Sequence, residues 1–134
     1  MTLLSIGKVA KRAGISVETI RFYEHKGLLQ EPQRKESGYR QYQEEDVRKL
    51  VFIQHAKNLG FSLNEIRDLM SLQADSRSTS REVKALAEHK LQDIEEKIKM
   101  LQRMRRTLKH LVDQCPGKGP TSECPILDAL ARDY

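Results

Sequence analysis

Two cysteines stand close together near the end of the chain, in Cys115-PGKGPTSE-Cys124, and the sequence holds no others. Eight residues separate them, and the segment is rich in Gly and Pro. Thiolates are soft donors. They select Cu(I), Ag(I), Au(I) and Hg(II), and also Zn(II), Cd(II) or Pb(II) when further ligands are supplied. A loop this short closes on one ion with little loss of chain entropy. A reversible Cys115–Cys124 disulfide, making a thiol redox sensor, is the lesser alternative. His110 lies five residues before Cys115 and is within ligand reach in principle, but an exposed helical histidine is the simpler reading. His25, His55 and His89 show no clustered ligand spacing.

A second set of residues points to a polyanion. The 134-residue chain carries a formal charge of +5. Residues 8–40 hold eight basic side chains against four acidic ones, a local excess of the kind that nucleic acid attracts. No nucleophile–base pair, phosphate loop or carboxylate constellation is present, so catalysis is not expected. No apolar run approaches the roughly 18 residues that span a bilayer, and MTLLSIGKVAKRAG lacks the apolar core of a signal peptide. A cytoplasmic protein with reduced thiols is expected.

These residues need elements to position them. Ser5-IGKVAKRA-Gly14 has helical spacing of Ile6, Val9 and Ala10, a Ser cap and a Gly stop. Ser16-VETIRFYEHKGLL repeats the pattern, so the pair predicts a helix-turn-helix. Its second helix would enter the major groove, with Val17, Glu18, Thr19 and Arg21 as its early residues. Arg21 suits phosphate or guanine, and the Tyr23 hydroxyl suits phosphate. Phe22 is assigned to the core. Gln30-EPQRKESGYRQY-Gln43 predicts a short hairpin, a basic wing in which Arg34, Tyr39 and Arg40 contact the DNA backbone.

Helices are predicted from about Glu44 to Leu59, and after Ser62, where Ser62 and Glu65 form a capping box. The stretch from about Ser80 to Gln114 has no Gly or Pro. Its Ala87, Leu91, Ile94, Ile98, Leu101, Leu108 and Val112 follow a heptad rhythm, interrupted at Arg105. At 1.5 Å per residue this helix is about 50 Å long. A small domain cannot bury so long a stripe, so an antiparallel coiled-coil homodimer is expected. The fold class is mainly α: a winged helix-turn-helix over residues 1–74, a linker and dimerisation helix over 75–114, and a metal loop with a short helix over 115–134. The roughly twenty residues after Gln114 are expected to be too few for a small-molecule pocket.

Taken together, Ile6-GKVAKRAGISVETIRFYE-His25, Ser37-GYRQY-Gln43 and Leu59-GFSL-Asn64 resemble the MerR family of transcription regulators, and the likeness extends through Leu86-AEHKL-Gln92 to the cysteine loop. The resemblance implies a homodimer on double-stranded promoter DNA, with RNA polymerase as its partner there. It implies repression without the inducer and activation by DNA distortion with it. Thr19, Arg21, Tyr23, Arg34, Tyr39 and Arg40 inherit the DNA-contact role. Cys115 and Cys124 inherit the metal, a thiophilic ion. Divalent-ion sensors of the family place a third cysteine at the start of the long helix, where this chain has Ser80. That absence favours a monovalent ion, Cu(I), Ag(I) or Au(I), held by two thiolates. The eight-residue spacing between the cysteines is instead the one usual for mercury and zinc sensors. The alternative is therefore a divalent ion, Hg(II), Zn(II), Cd(II) or Pb(II), with a third ligand at or near residue 80.

Overall fold

Three serines set the first helices. In the computed structural model, which describes residues 3–32 and 41–132, Ser5, Ser16 and Ser62 sit in extended backbone. Each accepts from an N–H three residues on, at Lys8, Thr19 and Glu65. These bonds satisfy donors that the first helical turn leaves open. They start α1 (Ile6–Ala13), α2 (Val17–His25) and α4 (Leu63–Ala74). Glu65 returns a bond to the Ser62 N–H and completes the capping box. Helix α3 (Glu44–Asn58) begins at Gln43, whose N–H donates to Asp46 at 2.8 Å.

Between α1 and α2 the chain turns at Gly14, with φ at 74°. A side chain there would strain the backbone. The turn lets α1 pack on both α2 and α3, and α4 packs on α3. Val9, Ala10, Ile20, Tyr23, Val47, Leu50, Ile53, Ala56 and Ile66 fill the space between them, with Leu4, Leu28, Leu29 and Tyr42 closing it. Paired backbone bonds of 2.7 and 2.8 Å join Leu4 to Tyr42. This isolated antiparallel bridge ties the chain start to the entry of α3. No strand forms among the described residues. The predicted wing falls mainly on residues 33–40, which lie outside them.

Cross-links to neighbouring elements hold α2 in place. The Arg67 guanidinium of α4 donates to the Lys26 carbonyl at the end of α2. The Tyr42 hydroxyl donates to Glu24 at 3.0 Å. A further link, from Arg12 to Glu44, joins α1 to the start of α3.

The expectation for Phe22 is corrected. Its ring is 45% exposed, whereas the adjacent Tyr23 ring is buried. The reason is phase. Ile20 and Tyr23, three apart, define the inward side of α2, and Phe22 falls about 100° round the helix from Tyr23.

The chain divides into two compact units, residues 1–87 and 88–134. Helix α5 (Ser80–Gln114) begins in the first and supplies most of the second. Its 35 residues match the uninterrupted stretch seen in the sequence. Along it, Leu91, Ile98, Leu101, Met104, Leu108 and Val112 are each about half exposed or more in the single chain. A 3-10 turn (Thr121–Glu123) and α6 (Pro125–Ala131) follow. No helix among the described residues is long and apolar enough to cross a membrane.

Candidate functional site

The cysteine loop is built by the ends of two helices. Cys115 is the first residue past α5, and its N–H still donates to the Leu111 and Val112 carbonyls. Cys124 is the N-cap of α6, with Pro125 in the first turn. Between them the chain reverses at Gly117 and Gly119, with φ of 70° and 92°. Only glycine adopts such angles freely, so the Gly/Pro composition serves to return the second thiol towards the first.

Both thiols are free and half-buried. The Cys115 thiol is among the groups that act on Cys124. The Leu127 N–H, with the Ile126 N–H and the Cys115 thiol, holds the Cys124 thiol below its ordinary pKa. Partial burial and the Asp128 carboxylate oppose this. Two adjacent reduced sulfurs, one eased towards the thiolate, fit a soft metal ion. Ser80 stands exposed at the start of α5. The backbone N–H of Thr79, the residue before it, donates to the Glu82 carboxylate at 3.3 Å.

The candidate DNA face is carried by α2. Glu18, Arg21, Phe22 and His25 are all exposed. Their spacing of three and four places them on one side, opposite Ile20 and Tyr23. Thr19 is half-buried, and its hydroxyl lies 2.8 Å from that of Ser16, inside the cap. Tyr23 is set apart from the exposed group. Its hydroxyl donates to Gln54 at 3.3 Å, and the Lys57 ammonium lies 5.9 Å from the ring centre. A phosphate contact by Tyr23 therefore requires giving up the Gln54 bond. Arg34, Tyr39 and Arg40 lie outside the described residues.

Sequence reasoning passed over Lys26, Gln54 and Arg67, which brace α2. The signal available for Phe22 was its spacing: four residues after Glu18 and out of phase with the apolar Ile20.

Comparison with known proteins identifies the arrangement. The description MerR HTH family regulatory protein matches residues 4–73, and MerR, DNA binding matches residues 47–111. The chain belongs to the MerR family. The mercuric resistance operon regulatory protein of Serratia marcescens is 46% identical over 127 residues, covering 95% of this chain and 87% of that protein. The transcription regulator PbrR691 from Ralstonia metallidurans CH34, solved in complex with lead(II), superposes with a TM-score of 0.85 at 36% identity. That match covers 96% of this chain and 99% of the other. HiNmlR, a MerR family regulator lacking the sensor domain and solved bound to promoter DNA, gives a TM-score of 0.56 at 30% identity. It covers 84% of this chain and 85% of that one. These relatives are transcription regulators, and this MerR-family chain is not an enzyme.

Proposed function

We propose that this MerR-family chain is a homodimeric, metal-responsive regulator that holds a divalent thiophilic ion between Cys115 and Cys124. The observation that carries it is the pair of free thiols that the end of α5 and the start of α6 present in one short loop, with Cys124 eased towards its thiolate. The choice of a divalent ion replaces the Cu(I), Ag(I) or Au(I) preferred on ligand count alone. It is supported by relatives named for mercuric resistance or solved with lead(II), and by the eight residues between the cysteines. The divalent reading calls for a third ligand at or near residue 80, the position that Ser80 holds in this sequence.

The dimer is formed by α5. Its half-exposed apolar stripe needs a partner, and its charges indicate a direction. Residues 80–96 carry three basic side chains against five acidic ones. Residues 97–112 carry six basic and none acidic. Antiparallel pairing sets the acidic half of one helix beside the basic half of the other, whereas parallel pairing sets like beside like.

On DNA, Arg21 contacts phosphate or guanine from α2, and Thr19 fixes the start of that helix. Arg34, Tyr39 and Arg40 of the wing segment hold the backbone. Tyr23 contributes from beneath through its Gln54 bond. Metal-free dimer represses. The Cys115 and Cys124 thiolates would hold the ion, which when bound would tie the end of α5 to the start of α6. That change is coupled through α5 to the DNA contacts, so that the spacer is distorted for RNA polymerase.

An oxygen-free competition titration tests this reading, with Hg(II), Pb(II), Cd(II), Zn(II) and Cu(I) each buffered by a chelator of known affinity. One divalent ion per Cys115/Cys124 loop, lost in Cys115→Ser together with metal-induced transcription, is the expected result. Preference for Cu(I) returns the monovalent alternative. Full induction in Cys115→Ser refutes the site. Peroxide response without metal binding supports the dithiol redox sensor instead.

A further inference from the structure

We infer that Phe22 reads DNA sequence, by apolar contact with the 5-methyl group of a thymine in the major groove. Scattered exposed apolar residues are ordinary on protein surfaces, so exposure alone decides nothing. The place and the bracing of this ring do. Phe22 is 45% exposed, and it lies among Glu18, Arg21 and His25 on the outward side of α2. It is the one apolar residue on that side. Its ring sits 5.8 Å from the Tyr23 ring, tilted by 55°, and Tyr23 is itself buried and bonded to Gln54. The Lys26 ammonium lies 5.7 Å from the ring centre, and the Lys26 carbonyl is held by Arg67. The ring is thus positioned before DNA arrives, and little side-chain freedom remains to be lost on binding.

The major groove offers one apolar feature, the thymine methyl, and phenylalanine is among the residues that contact it. Arg21, next in sequence, reaches polar edges or phosphate, and the Lys26 ammonium at the ring suits a neighbouring phosphate. Phosphate contacts carry no sequence information, whereas a methyl contact discriminates thymine from cytosine. This inference rests on α2 being the groove-entering helix, as proposed above.

The test uses the intact wild-type chain to select its site from a random duplex library. The selected duplex is then made with each thymine in turn replaced by deoxyuridine, which removes only the methyl group. Affinities of wild type, Phe22→Ala and Phe22→Leu are measured at one salt concentration by fluorescence anisotropy. At one thymine of each half-site, deoxyuridine should weaken wild-type binding about fourfold, as for one methyl-sized group removed from water. Replacement in both half-sites should give about fifteenfold if the sites act independently. Phe22→Ala should bind more weakly and be indifferent to that substitution, with Phe22→Leu in between. Equal sensitivity of wild type and Phe22→Ala at every thymine overturns the inference. Arg21→Ala separates the two levels. If it lowers affinity and the salt slope while deoxyuridine has no effect, the Phe22 contact fails and α2 keeps its place. If it changes neither affinity nor salt slope, α2 is not in the groove and both fail. Because the ring is half exposed, Phe22→Ala should melt close to wild type, and Phe22→Leu repeats the measurement with apolar bulk retained.

Discussion

Leu101 on α5 allows the dimer to be tested by arithmetic. In the single chain this side chain is 59% exposed. Replacing it in a monomer should therefore cost little, within about 0.5 kcal/mol. Burying a whole leucine is worth about 1.5–3 kcal/mol. With more than half still to be buried, pairing gains about 1 kcal/mol or somewhat more at each copy. A dimer contains two copies, so Leu101→Ala should cost about 2–3 kcal/mol of association, roughly a 30- to 150-fold rise in the dimer dissociation constant. The assay is urea unfolding followed by helical circular dichroism, at protein concentrations spanning about a thousandfold. A dimer's midpoint rises with concentration, since association stabilises the folded form by mass action. The variant should unfold earlier and show dissociated chain in sedimentation at concentrations where wild type is paired. Midpoints independent of concentration in both proteins, with Leu101→Ala indistinguishable from wild type, would refute the reasoning. They would mean that the stripe needs no second copy.

Three further outcomes follow from particular contacts. The Arg12 hydrogen bond and charge hold the Glu44 carboxyl below the usual carboxylate range. A carboxyl with a depressed folded-state pKa adds stability above its unfolded value of about 4.3, and that stability fades as pH falls through the folded value. Arg12→Ala should thus melt below wild type at pH 7, and the gap should close below about pH 4. An equal gap at both pH values would locate the effect in packing. Tyr23→Phe removes the bond to Gln54 and should cost about 0.5–1.5 kcal/mol, read from urea unfolding. Tyr23→Ala, emptying a buried ring site, should cost about 3–5 kcal/mol. In the reduced, metal-free protein, alkylation of Cys124 followed by mass spectrometry should show a midpoint below the free-thiol value of about 8.5. Cys115→Ser should move that midpoint, because the Cys115 thiol is one of the groups acting on Cys124. An unshifted midpoint in the unsubstituted protein would contradict the easing of Cys124 by its surroundings at the start of α6.

Much of this molecule is decided by short-range chemistry and is legible along the chain. Ser5, Ser16 and Ser62 cap helices because their hydroxyls reach an N–H three residues on, whatever the rest of the fold does. The continuous α5 follows from the lack of any breaker between Ser80 and Gln114. The MerR family follows from local motifs in a fixed order, and two cysteines in one short loop are the feature from which a soft ion is proposed. Other features depend on which face each helix turns inward. Phe22 and Tyr23 are adjacent aromatics of similar bulk. Packing of α2 against α1, with Gln54 of α3 waiting at the Tyr23 hydroxyl, buries one and exposes the other. The easing of Cys124 towards its thiolate required the N–H groups of Ile126 and Leu127 to turn back on it as α6 forms. The preferred ion was the least legible part. Ligand count depends on the donors that an assembled site brings together across the chain and its partner, and two cysteines in one loop state only the share that this loop supplies.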